Sequence, residues 1–185
     1  MLKLQQPWQT ADQFRFANAD QQAWLTQRGS LTAALRQQLG TIEVEVVHQG
    51  HNRAYAWEAH ALQCEPLIQP WIRQVYLHNP TQPLIAARTV ITDFDQNNPW
   101  FILNSLGNQP LGERLFALPN LTRSEFRYSY MHTSSRNDPL YPARYCVFYL
   151  NNIPLLLTEA FLFLGISLAE YEIFKENSLP LLPKH

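Results

Sequence analysis

The sequence predicts an α+β fold, with a six-stranded, largely antiparallel sheet and flanking helices. Six short runs have strand-like patterns, and short turns join nearly all of them. Antiparallel strands can be joined in this way, whereas parallel strands need a crossover of a dozen or more residues. Helical periodicity appears before the first strand and in mid-chain. A chain of 185 residues suits one domain over 1–185, with an N-terminal arm (1–20) and a C-terminal extension (165–185).

Composition narrows the class of protein. Hydrophobic residues make up 46% and charged residues 16%, which is typical of a globular chain. The formal net charge of -1, without a basic block, argues against nucleic acid or an anionic membrane as a partner. No apolar run reaches membrane length, and residues 1–20 do not form a signal peptide. Cys64 and Cys146 fit neither a disulfide framework nor a metal spacing, so we expect free thiols and a cytoplasmic location.

Two helices are expected near the N-terminus. Asp20 is placed to cap a short helix through Leu25, after the irregular arm. Ser30 is placed to cap a second helix, and Gly40 to end it. Leucines recur every four residues along this second helix, at Leu31, Leu35 and Leu39. That spacing predicts one apolar face that packs against the sheet.

The expected strands cover residues 41–48, 71–78, 84–92, 121–131, 143–150 and 153–163. Asn151 and Asn152 form a two-residue type I′ turn signal, which predicts a tight hairpin from the last two strands. Residues 53–70 include two prolines and are expected to form a connection. Pro99 is placed to start a short helix, and residues 167–176 to form a short amphipathic helix.

Two histidines, His48 and His51, lie three residues apart after the first strand. They could bind a metal ion, but no carboxylate or thiol lies at ligand spacing beside them. A surface turn is therefore favoured, and no metal site is predicted.

The apolar run 153–165 contains one carboxylate, Glu159. Burying a carboxylate costs several kcal/mol unless it is hydrogen-bonded, charge-paired or protonated. Glu159 therefore needs a partner from outside the run. Taken alone, the run favours a structural ion pair with an arginine, or a loop amide, over a catalytic role.

Two further features suggest an anion site. Arg73 is in phase with Val75 and Leu77, so it faces inward if they do, and an inward arginine needs an anion. The turn Pro110-Leu111-Gly112 opens a helix whose free N–H groups can also hold an anion. Taken alone, the second feature is better explained by a plain helix-to-helix turn.

Five segments together resemble the chorismate pyruvate-lyase family. They occur in the family's order and cover most of residues 24–163. The segments are W-L-T-Q-R-G-S-L-T (24–32), W-I-R-Q (71–74), A-A-R-T-V (86–90), L-G-N-Q-P-L-G-E-R-L-F (106–116) with L-T-R (121–123), and I-P-L-L-L-T-E-A-F-L (153–162). The resemblance implies conversion of chorismate to 4-hydroxybenzoate and pyruvate, at the start of ubiquinone synthesis and without a cofactor. It also implies a six-stranded antiparallel sheet with a buried product site.

The resemblance assigns roles to five residues of this chain. Arg73 matches the arginine that grips the ring carboxylate, and Leu111 the position whose main-chain N–H binds the same carboxylate. Glu159 matches the glutamate that meets the 4-hydroxyl of the product and could act as base or proton relay. Leu31 stands where the family has methionine and would contribute backbone polarity and an apolar wall. Arg144 matches a residue that would meet the enolpyruvyl carboxylate.

The sequence departs from the family at the expected substrate entrance. Tyr145, Val147 and Tyr149 replace arginines, so the entrance is less cationic and affinity for the second carboxylate is in question. A competing hypothesis is a non-catalytic sensing domain of the same fold, as in transcription regulators that carry a winged-helix domain. Only about 20 residues precede the first helix here, far fewer than a domain needs, which favours the lyase.

Overall fold

The computed structural model describes residues 3–65, 69–132 and 139–171, which form one antiparallel sheet with helices packed on it. The strands are β1 (Lys3–Leu4), β2 (Glu43–His51), β3 (Trp71–His78), β4 (Pro83–Ile91), β5 (Thr122–Arg123), β6 (Arg127–His132), β7 (Tyr141–Leu150) and β8 (Ile153–Phe161). The helices are α1 (Ala19–Thr26), α2 (Leu31–Leu39), α3 (Ala56–Leu62) and α4 (Leu111–Leu115), with 3₁₀ helices at Pro99–Ser105 and Leu162–Leu164.

The sheet order is β1-β6-β7-β8-β4-β3-β2, and β5 pairs with β7 beside this path. All the pairings are antiparallel, so the predicted α+β class is confirmed. The predicted count of six strands is wrong, because the described residues form eight. The expected arm contributes β1, which pairs with the end of β6. The expected strand 121–131 is divided into β5 and β6, because residues 124–126 lie outside both strands.

Helix α2 begins and ends as predicted. The Ser30 side chain accepts a hydrogen bond from the N–H of Ala33, and Gly40 ends the helix with a φ of 83°. Helix α1 is capped by Asn18 rather than by Asp20, which lies in its first turn. The predicted connection 53–70 is wrong in part, because it contains α3.

Two other expectations concern chain segments near the sheet. His48 and His51 lie on β2 rather than in a turn, because the strand extends to residue 51. No group of three or more potential metal ligands occurs within residues 3–65, 69–132 and 139–171. Residues 168–171 are helical as expected, and the remainder of the predicted helix 167–176 lies outside the described residues. No helix in the described part of the chain is long and apolar enough to cross a membrane.

The hairpin of β7 and β8 lies inside the sheet. Asn151 and Asn152 both have positive φ values, 50° and 63°, as the predicted turn requires. Because successive side chains alternate between faces, each strand contributes to both sides of the sheet. One row of paired residues defines the inner face: Arg73, Thr89, Leu157 and Cys146. The next row defines the outer face: Gln74, Arg88, Thr158 and Tyr145.

A candidate active site on the inner face of the sheet

The inner face forms the floor of a hollow that α2 and α4 help to enclose. Its cavity volume is about 50 Å³, several times the roughly 10–15 Å³ that one water molecule requires. Five residues proposed from sequence all line it: Leu31, Arg73, Leu111, Arg144 and Glu159. The structure therefore brings together side chains that are up to 128 positions apart in the sequence, since Leu31 and Glu159 are the outermost pair.

The first turns of α2 and α4 lie close together. Ser30 caps α2 and places Leu31 in its first turn, while Pro110 precedes Leu111 in α4. A Cβ added at Gly112 would lie 3.2 Å from the Ser30 hydroxyl. Glycine at this position therefore lets the first turn of α4 approach the capping residue of α2, which places Leu31 and Leu111 on the same hollow.

Arg73 is buried, with 2% of its surface exposed, so its predicted inward orientation is confirmed. Its Nη2 donates to the carbonyl of Gly107 at 2.6 Å and to that of Gln109 at 3.4 Å. Its Nε has no hydrogen-bond partner within the part of the chain that the structure describes. Among the described residues no carboxylate pairs with this guanidinium. Burial lowers the pKa of Arg73 because it penalises the charged form. The protein thus positions a buried cation without neutralising it.

The loop that holds Arg73 also leads into α4. The carbonyls of Gly107 and Gln109 orient the guanidinium, and two residues after Gln109 the chain enters the helix at Leu111. The first N–H groups of a helix have no partner within it. One loop therefore places a guanidinium and main-chain N–H donors around the same space. Both kinds of donor suit a carboxylate.

The partner that Glu159 needs is Arg144, directly opposite on β7. Arg144 Nε donates to Glu159 Oε2 at 2.7 Å, and both residues are at least nine-tenths buried. Arg144 Nη1 also donates to the carbonyls of Leu25 and Gln27, at 2.9 and 2.6 Å. These carbonyls lie at the end of α1. The expected arginine partner is confirmed, and it also ties α1 to the sheet.

The strand pairing places Arg73 and Glu159 at separate positions along the hollow. Arg73 pairs with Thr89, whereas Glu159 pairs with Ala87, two residues earlier on β4. Two strand spacings and this two-residue step give about 12 Å between the Cα atoms of Arg73 and Glu159. The two long side chains approach the hollow from separate positions, so one ligand can contact both.

Sequence reasoning gave no role to two other arginines that line the hollow, Arg28 and Arg123. The side chain of Arg28 is 65% exposed and pairs with Glu125. The guanidinium of Arg123 lies 3.9 Å from the ring centre of Phe126. Each belongs to a segment that carries the family resemblance, which was the available signal. Arg123 adds positive charge at the hollow, whereas the charge of Arg28 is paired with Glu125.

Cys146 gives a direct test of how dry this hollow is. Burial raises the pKa of its thiol to about 12, so almost no thiolate forms until the pH approaches that value, and the thiolate is the reactive form. We expect Cys146 to resist iodoacetamide at pH 8 in the folded protein and to react once the protein is denatured. Mass spectrometry of the labelled peptides measures this. Rapid labelling of Cys146 in the native state would contradict a water-poor hollow.

Solved structures with this fold include the C-terminal domains of PhnF and of a repressor. The C-terminal domain of PhnF matches with a TM-score of 0.53 and 13% identity, over 64% of this chain and 81% of that chain. The C-terminal domain of a histidine utilization repressor from Pseudomonas syringae matches with a TM-score of 0.50 and 11% identity, over 65% of this chain and 91% of that chain. Identities this low show a shared fold alone.

Sequence comparisons are more specific. The family model described as chorismate lyase matches residues 2–168. A probable chorismate pyruvate-lyase of Hydrogenovibrio crunogenus is 38% identical over 148 residues, which cover 75% of this chain and 80% of the relative. A chorismate pyruvate-lyase of Hamiltonella defensa is 34% identical over 141 residues, which cover 75% of each chain. The match over nearly the whole chain, together with these relatives, shows that this protein belongs to the chorismate lyase family.

Proposed function

We propose that this protein is a chorismate pyruvate-lyase, which converts chorismate to 4-hydroxybenzoate and pyruvate. The observation that carries the proposal is Arg73, a buried guanidinium without a carboxylate partner among the described residues, in a hollow that also contains Glu159. A buried cation of this kind is stabilised when an anionic ligand supplies the missing charge. The names of the family and of its similar members support the same reaction.

The reaction explains why these residue types are sufficient. Chorismate carries two carboxylates, a ring hydroxyl and an enol ether. The bond between the ring and the ether oxygen breaks, and the hydrogen on C4 leaves the ring. The released enolpyruvyl group gains a hydrogen on its methylene carbon and becomes pyruvate, while the ring becomes aromatic. No net oxidation occurs, so the protein has only to orient the substrate, balance its charge and assist proton movement.

The geometry supports a role for each of the predicted residues. The fork of Arg73 and the N–H of Leu111 hold the ring carboxylate from one end of the hollow. Glu159 meets the C4 hydroxyl from the other end, where it acts as base or proton relay. Arg144 fixes the carboxylate of Glu159 at 2.7 Å, so that it does not turn away from the ring. Leu31 supplies an apolar wall.

The second carboxylate of chorismate needs its own cation. Hydrogen bonds engage Nε and Nη1 of Arg144, which leaves Nη2 to meet the enolpyruvyl group. Arg123, which lines the same hollow and packs on Phe126, is the second cation that we assign to this carboxylate. Together they compensate for the three arginines that β7 lacks.

Mixing the purified protein with chorismate tests the proposal. We expect the absorbance of 4-hydroxybenzoate to appear together with an equal amount of pyruvate, measured by coupling to lactate dehydrogenase. A denatured sample is the control for spontaneous decay of chorismate. Binding of chorismate without release of pyruvate would instead support a sensing domain.

Glu159→Gln is expected to retain the fold and to lower the turnover rate. The amide keeps the shape of the side chain but cannot accept a proton, and general base catalysis typically contributes about 10²–10⁴-fold. Steady-state kinetics gives kcat, and calorimetry with 4-hydroxybenzoate gives the affinity for product. An unchanged kcat with weaker product binding would leave Glu159 with a binding role only.

Three wider expectations belong to the same proposal. The reaction would provide 4-hydroxybenzoate for ubiquinone synthesis, in the cytoplasm and without a nucleic-acid partner. The family supports the first of these. The cytoplasmic location and the absence of a nucleic-acid partner stay predictions from composition.

A further inference from the structure

A second hollow lies on the outer face of the sheet, on the opposite side from the candidate active site. Its cavity volume is about 80 Å³. Small side chains form part of its floor, because Ala86 on β4 pairs with Ala160 on β8. Tyr55 and Trp57, at the start of α3, form an aromatic wall with their rings nearly parallel. The described residues thus build a concave, largely apolar space that the lyase chemistry does not use.

Two residues that line this hollow carry a buried hydroxyl group with no hydrogen-bond partner among the described residues. Thr158 is 4% exposed and lines the hollow, and its buried Oγ1 is unpaired. The buried hydroxyl of Tyr55 is also unpaired. Leaving a buried polar group unsatisfied is unfavourable, because the group loses its hydrogen bonds to water and gains none in the protein. Burial also raises the pKa of Tyr55, so its hydroxyl stays protonated and can donate. A bound molecule with its own hydroxyl would satisfy both groups.

The charge in this hollow is already balanced. Arg88 Nε donates to Glu58 Oε1 at 2.6 Å, and Arg88 Nη2 donates to Glu58 Oε2 at 3.0 Å. Glu58 is fully buried and also accepts a hydrogen bond from the N–H of Tyr55. Arg88 therefore differs from Arg73, because its charge has a partner. An anionic ligand would gain little here and would lose its hydration.

We propose that the outer hollow binds a small, uncharged, planar ring molecule that carries a hydroxyl group. The aromatic wall packs against the ring, and the hydroxyls of Tyr55 and Thr158 bind the polar group. Thr158 directly precedes Glu159 on β8, so this site and the candidate active site lie on opposite sides of one strand.

Calorimetric titration with phenol, as the simplest probe of this class, tests the proposal. We expect wild-type protein to bind phenol in the millimolar range. Ala86→Leu fills the floor of the hollow and should weaken this binding at least tenfold. Arg73→Met alters only the candidate active site and should leave it unchanged. Benzoate, the charged analogue, should bind more weakly to Arg73→Met than to wild type. Ala86→Leu should leave benzoate binding unchanged.

A double variant provides the same test if Ala86→Leu does not fold. Tyr55→Phe with Thr158→Val preserves shape but removes both hydroxyls, and it should weaken phenol binding several-fold. Circular dichroism checks that each variant is folded. The proposal is overturned if wild-type protein does not bind phenol. It is equally overturned if Arg73→Met abolishes phenol binding, or if the folded outer-face variants bind phenol as wild type does.

Discussion

Arg73→Met is expected to remove most lyase activity and product binding while the protein stays folded. The guanidinium is the buried group that holds the ring carboxylate in our proposal. Truncating one partner of a buried, hydrogen-bonded charge pair costs about 2–5 kcal/mol, or roughly 30-fold to 4,000-fold in affinity. The kcat/KM for chorismate and the Kd for 4-hydroxybenzoate measure this loss. Arg73→Ala should have the same effect. Normal turnover of chorismate by either variant would show that the role of Arg73 is wrong.

The same substitution on the neighbouring strand is a matched control. Among the described residues Arg73 has no carboxylate partner, so Arg73→Met removes an uncompensated buried charge together with the donor to the carbonyls of Gly107 and Gln109. These effects oppose each other, so the free energy of unfolding should change little. Arg88→Met removes the partner of fully buried Glu58 and should lower the free energy of unfolding by about 3–5 kcal/mol. Activity per folded molecule should survive in Arg88→Met. Urea unfolding measures the free energy of unfolding of both variants. Equal destabilisation by Arg73→Met and Arg88→Met would contradict the view that only Arg88 has a carboxylate partner.

The second large effect is on stability. Arg144→Met would leave Glu159 without its charge partner and would remove the donor to the carbonyls of Leu25 and Gln27. Breaking a buried pair by removing one member typically costs about 3–5 kcal/mol. We expect the urea midpoint to fall accordingly, with loss of activity. The measurement is equilibrium unfolding followed by circular dichroism.

A double variant tests whether the ion pair is the cause. Removing both charges, with Arg144→Met and Glu159→Leu, leaves no unpaired carboxylate and should recover part of the lost stability. Recovery should be incomplete, because the carbonyls at the end of α1 still lack their donor. A double variant less stable than Arg144→Met would mean that the pair is not the origin of the effect.

The sequence predicted the parts of the fold that depend on local chemistry. Ser30 and Gly40 mark the ends of α2, and Asn151-Asn152 marks the hairpin, because caps and turns are encoded by a few adjacent residues. Helix α3 was not predicted because its N-cap is Tyr55, which is not one of the usual capping residues. Glu58, which accepts from the N–H of Tyr55, is itself held by Arg88 from a strand 30 residues away. Strand β1 is only two residues long, too short for a periodic pattern.

The candidate site likewise combines features that local sequence patterns predict with one that they do not. The alternating pattern along β3 was enough to predict that the side chain of Arg73 faces inward, because side-chain direction in a strand has a period of two. The partner of Glu159 also follows from a local signal, because the predicted two-residue turn at Asn151-Asn152 fixes the register that places Arg144 opposite Glu159. Arg123 reaches the hollow from the two-residue strand β5, and only the tertiary structure shows its place there.

The alternation of faces also constrains how this gene can change in length. Between Arg73 and Leu77 the ladder from β3 to β4 is unbroken, whereas β2 already tolerates an irregularity between Val46 and His48. A one-codon deletion in β4 just before Arg88 would reverse which side of the sheet the preceding residues face. We therefore expect insertions and deletions to survive selection in β2 and at loop tips, but not in the middle of β3 or β4.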